Sequence, residues 1–189
     1  MFSKEEKQLI IDEYKRKYSN NLSWSYGYSS IESIVDDFCS KKICKEHLKR
    51  RTEEELDNLK KVILANIDKI KSAKSFEELY GIICNITSRI HGISHLTSYD
   101  ISLPIGYYLG FGPEYIYSHA GTKTGLMNIC GIEVKEKIVK AGLGDPFRYC
   151  DLSAAQLEDM FCIFKDGVEK DRSCSTDCST ERGKNEKGC

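Results

Sequence analysis

The chain has 189 residues, 40% of them hydrophobic and 30% charged, and its net charge is −1. These values fit a single soluble globular domain able to bury a core. They exclude the overall basic field that would draw a whole protein onto nucleic acid, so any such attraction must come from a local patch. No apolar run approaches the roughly 18 residues of a membrane span, and the opening MFSKEEKQ has no signal-like apolar stretch. No membrane association and a cytoplasmic protein are expected.

Residues 3–18 predict a helix. Ser3 with Glu6 three residues on has the capping-box spacing, and Leu9, Ile10, Tyr14 and Tyr18 recur near the helical period. Asn20 and Asn21 end it. Trp24, Tyr26 and Tyr28 gather around Gly27, either as a stacking platform for bases or as a corner of the core. Ser29 or Ser30 caps a helix from Ile31 to about Cys39, whose apolar face is Ile31, Ile34, Val35 and Phe38.

Residues 41–51, KKICKEHLKRR, hold the one concentrated positive stretch. They read as phosphate contacts, or as a solvated helix face paired with the acidic TEEELD that follows. Cys39, Cys44 and His47 lack a fourth ligand at finger-like spacing, so no metal and no cofactor is expected. Six cysteines, Cys39, Cys44, Cys84, Cys130, Cys150 and Cys162, stand singly among apolar or helical positions and read as small buried hydrophobes or inert thiols.

A long helix is predicted over 52–71, with Thr52 and Glu55 as its capping box and Leu56, Leu59, Val62, Ile63, Ile67 and Ile70 in its apolar stripe. Another is predicted over 75–90, capped by Ser75, with Phe76, Leu79, Ile82, Ile83, Ile86 and Ile90 facing inward. The chain then turns at Gly92, a residue free to take a positive φ. Ser94 or Thr97 caps a further helix running to about Leu109. The first amides of that helix have no internal partners and carry the positive end of its dipole, so they form an anion site wherever solvent reaches them.

The string IHGISHLTS, residues 90–98, resembles the helix-hairpin-helix motif, in which hairpin amides bind a DNA backbone phosphate without reading sequence. Gly92, Ile93 and Thr97 match its pattern, and Ser94 stands where the second glycine would be. The resemblance implies DNA binding through Gly92, Ile93, Ser94 and Thr97. It extends to the helix-hairpin-helix DNA glycosylases, where a later segment carries a catalytic aspartate followed by a histidine. His119 corresponds to that histidine, and Tyr117 stands at the aspartate position, where a phenol cannot supply the carboxylate's charge. The run from Gly92 to Gly125 is also similar to one in uncharacterised bacterial proteins, which carries no activity over.

Asp100 reads either as first-turn charge complementing the helix dipole or as a general base with His95 or His119. At Pro104 the helix must kink, start afresh, or satisfy its freed carbonyl elsewhere. Pro113 is expected to open a short helix, PEYIYSHA. HAGTKTG, residues 119–125, reads as a loop leading into a helix from Leu126, with Thr122 and Lys123 placed to contact a second phosphate, or simply as a capping loop. GIEVKEKIVKAGL is expected to be helical, and Ser153 caps a last helix ending at Gly167. The polar residues 168–189, with Cys174, Cys178 and Cys189, are expected to be disordered.

The expected fold is all-α, one multi-helix domain over 1–167 with a helix-hairpin-helix-like motif within 75–125 and a disordered tail over 168–189. The leading functional expectation is binding of nucleic acid, duplex DNA first. The alternatives are a glycosylase-like or other nucleic-acid-processing enzyme using Asp100, His95 and His119, and a helical module for structure or protein interaction.

Overall fold

Local signals at the helix starts carry much of the architecture. The computed structural model describes residues 2–18, 20, 22, 27–42 and 46–168. The expected tail disorder, the Trp24–Tyr26 part of the aromatic cluster and Cys44 lie outside these residues. Helix α1 is Lys4–Tyr18, and the Ser3 amide donates to the Glu6 carboxylate at 2.7 Å while Ser3 Oγ accepts from the Glu6 amide. Helix α2 is Ile31–Cys39, capped by Ser30, followed by the short α3, Glu46–Lys49. Helix α4, Glu53–Ala65, begins at the Thr52–Glu55 capping box, and α5 is Ile67–Lys71. Helix α6, Phe76–Thr87, and α7, His95–Leu109, are capped by Ser75 and Ser94. Each such cap stabilises its helix by about 1 kcal/mol.

The remainder departs from the sequence expectations in four places, one of them residues 131–143, expected to be helical, which hold a strand over Lys137–Val139 and a 3-10 turn over Lys140–Gly142 instead. Residues 115–117 form a strand, β1 (Tyr115–Tyr117), instead of helix, and it pairs antiparallel with β2, Lys137–Val139. Ile116 opposes Ile138, and only Ile116 of this pair is fully buried. HAGTKTG is not a loop: Ala120–Gly125 is itself helix α8, continuing through a π-helical turn at Leu126–Cys130. The helix expected over 52–71 breaks at Asn66, whose side chain donates back to the Val62 carbonyl and competes with the main-chain ladder. The last helix, α9, is Ala154–Ile163, with Ser153 and Gln156 as its capping box. Among the described residues the fold is all-α apart from this two-stranded ribbon.

Two apolar cores result. One joins α1, the ribbon, α8 and α9 through Ile10, Tyr14, Ile116, Leu126, Met160 and Phe161. The other joins α2 and α4–α7 through Ile34, Phe38, Leu59, Ile63, Ile83 and Ile105. Each fully buried aliphatic or aromatic side chain here contributes about 1.5–3 kcal/mol. Between them Phe76, Tyr99, Leu103, Tyr117 and Ala155 form a bridge. Helix α7 supplies residues to both the second core and the bridge, and every residue from Thr97 to Gly106 is buried. It is the central element, buried nearly all round instead of along one stripe, with the polar Thr97, Ser98, Asp100 and Ser102 inside as well. Pro104 sits inside it and withholds a donor from the Asp100 carbonyl four residues earlier.

Candidate nucleic-acid interface

The α6–α7 turn has the helix–bend–helix form expected of it. Gly92 adopts φ +81°, and the Ile93 amide donates to the Ile90 carbonyl at 3.2 Å. Ser94 Oγ accepts from the Thr97 amide at 3.3 Å, and the Thr97 hydroxyl lies 3.3 Å from the same oxygen. Thr97 is buried, so it supports the hairpin from inside, whereas Ser94 is exposed and Ile93 half-buried.

Three side chains reach the bend. The Arg51 guanidinium donates to the Gly92 carbonyl, which docks the end of the basic 41–51 segment onto the hairpin. Lys41 in turn donates to the Arg51 carbonyl at 2.7 Å. The exposed His91 places Nδ1 3.6 Å from Glu55 Oε1. Glu55 lies against Gly92 itself, where a Cβ would overlap its carboxylate. Its hydrogen bond from the Thr52 amide, then the charges of Arg51 and His91, hold that carboxyl below its ordinary range. The glycine therefore makes room for Glu55, and the face of Gly92 where a phosphate was expected holds a carboxylate. Arg89, before the bend, and Arg50, next to Arg51 in sequence, are exposed.

The expected second contact divides. Thr122 is fully buried, and its hydroxyl donates to Glu158 Oε1 at 2.6 Å, so it ties α8 to α9 instead of facing solvent. Lys123 is exposed, on a helix that packs chiefly against α9.

The three candidate catalytic residues occupy different environments. Asp100 is only 3% exposed, inside α7, and its charge is felt by the phenols of Tyr99 and Tyr80. His119 is the N-terminal boundary residue of α8, with its ring 4.8 Å from that of Tyr99 and stacked at 6.4 Å on Tyr117. His95 is exposed at the start of α7, and its Nδ1 lies 3.6 Å from Cys84 Sγ. Tyr80 links these groups: its hydroxyl donates to the His95 carbonyl at 3.2 Å, and its ring meets Tyr117 at 5.0 Å.

The sequence reads Cys84 only as one of six buried or inert cysteines and gives Tyr80 no role. Their pairing with α7 depends on how two helices cross, which periodicity along one helix does not carry. The cysteines are less buried than expected: Cys39, Cys84, Cys130 and Cys150 are half-buried and Cys162 is exposed. Among the described residues no group of three or more His, Cys, Asp or Glu side chains is arranged to hold a metal ion, and no helix is long and apolar enough to cross a membrane. Comparison with protein-family models, curated proteins and solved structures finds no match to this chain.

Proposed function

We propose that the protein binds nucleic acid, duplex DNA first, by holding backbone phosphates at the outer side of the α6–α7 hairpin. The observation that supports this reading is the docking of Arg51 on the Gly92 carbonyl. It brings Arg51, the last residue of the one concentrated basic stretch and 41 positions away in sequence, to the bend whose pattern resembles a phosphate-binding motif. Arg50, Arg89 and His91 are exposed around a helix start whose dipole favours anions. Phosphates are contacted without base readout, so binding is independent of sequence and strongly weakened by salt. Binding is favoured over catalysis because Asp100, the carboxylate an enzyme would need, is closed off from solvent inside α7.

Titration of labelled duplex DNA at two salt concentrations tests the proposal. Affinity that drops as salt rises is expected. No binding even at low salt removes the proposal and leaves a helical module for structure or protein interaction.

A further inference from the structure

Cys84 and His95 face each other across α6 and α7, with Sγ 3.6 Å from Nδ1. Two hydroxyls adjoin the same sulfur, that of Tyr80 one turn earlier on α6 and that of Ser98 on α7. Tyr80 also donates to the His95 carbonyl, which holds the imidazole's own backbone in place. Ser98 is fixed in turn by Thr87, with the two oxygens 2.9 Å apart. The sulfur is half-buried, and the imidazole is exposed.

We infer that Cys84 is a base-assisted nucleophile, with His95 as its base, and that it reacts with small electrophiles of the hydroperoxide class. Burial raises the Cys84 thiol above its ordinary range, so the resting group is a thiol that needs a base at hand. His95 Nδ1 is within reach to take that proton as the sulfur attacks the hydroxyl oxygen of ROOH. An S–O bond forms and the O–O bond breaks. The proton then passes from the imidazolium to the departing alkoxide, giving Cys84–SOH and ROH. Sulfur loses two electrons and the peroxide gains two. The Tyr80 hydroxyl, bound to the His95 carbonyl, keeps the imidazole beside the sulfur during the attack. A half-buried sulfur admits a peroxide more readily than a bulky disulfide, which is why this class is assigned. Cys39 and Cys130 are poorer candidates, since burial pushes their thiols up to about 12 and about 11.

The test uses the full-length reduced protein, hydrogen peroxide and a dimedone-type sulfenic acid trap, with labelling followed cysteine by cysteine by mass spectrometry. Cys162 is the internal control, because it is exposed and would react first if exposure alone decided the rate. Cys84 is expected to label faster than Cys162. His95→Gln, at an exposed position, is expected to slow Cys84 by about 100-fold without changing Cys162. Tyr80→Phe, which keeps the ring, is expected to slow Cys84 as well. Faster labelling of Cys162, or an unchanged Cys84 rate in His95→Gln, overturns the inference. The outcome does not depend on whether the hairpin binds nucleic acid.

Discussion

The Glu55 carboxylate lies directly against the Cα of Gly92, on the side where any other residue would place its side chain. Two costs follow for Gly92→Ala. The positive φ costs about 1–2 kcal/mol in a residue with a Cβ. Displacing Glu55 from its capping-box bond to the Thr52 amide costs about 1 kcal/mol more. Urea denaturation is expected to give a loss of about 2–3 kcal/mol at unchanged m. In a double-mutant cycle Glu55→Ala should relieve only the second part, so the pair is less destabilising than the sum.

Gly125 in α8 is a harder case, because a Cβ there would run into the Phe161 carbonyl of α9. That obstacle is backbone and cannot swing aside as the Glu55 side chain can. Gly125→Ala should therefore part α8 from α9 and cost about 3 kcal/mol. The expected observation is a lower unfolding midpoint with weakened amide-exchange protection in both helices.

The Tyr99 hydroxyl is buried and finds no hydrogen-bond partner among the described residues. Tyr99→Phe removes a desolvated polar group while keeping the ring contacts with Phe76 and His119. It is expected to be neutral or stabilising by up to about 1 kcal/mol. Burial, with Glu158 and Asp100 adding to it, raises the Tyr99 phenol well above its ordinary 10. A raised folded-state value means stability is fully present below pH 10 and falls as pH climbs above it, where the unfolded chain ionises first. Alkaline unfolding monitored above pH 10 should thus be shallower in Tyr99→Phe.

Thr122 provides a check on the direction of a side chain. Its hydroxyl bonds Glu158 in the α8–α9 seam, so Thr122→Val should lower stability by about 1–2 kcal/mol in thermal or urea unfolding. The same variant should leave affinity for duplex DNA unchanged.

Six helix starts were legible in the sequence, because capping is local chemistry; those of α5 and α8, which carry no side-chain cap bond, were not. Ser3, Ser30, Thr52, Ser75, Ser94 and Ser153 all accept the amide bonds their spacing implies. The ribbon was not legible: β1 and β2 are three residues each, too short for alternation to register, and Pro113 imitates a helix start. At the candidate site the bend and its positive-φ glycine could be read. The arrival of Arg51 and Glu55 on Gly92 could not, since it depends on how α4 packs against α6.

The most direct measurement is the salt dependence of duplex DNA affinity in the wild type and in the Arg50→Glu/Arg89→Glu double variant, both substitutions at exposed positions. Between about 50 and about 200 mM salt, each phosphate held contributes about −0.9 to the log–log slope. The expected result is a clear negative slope in the wild type that flattens by about 2 in the double variant, with weaker binding throughout. A wild-type slope near zero, or one that the double charge reversal leaves unchanged, contradicts phosphate binding at this hairpin.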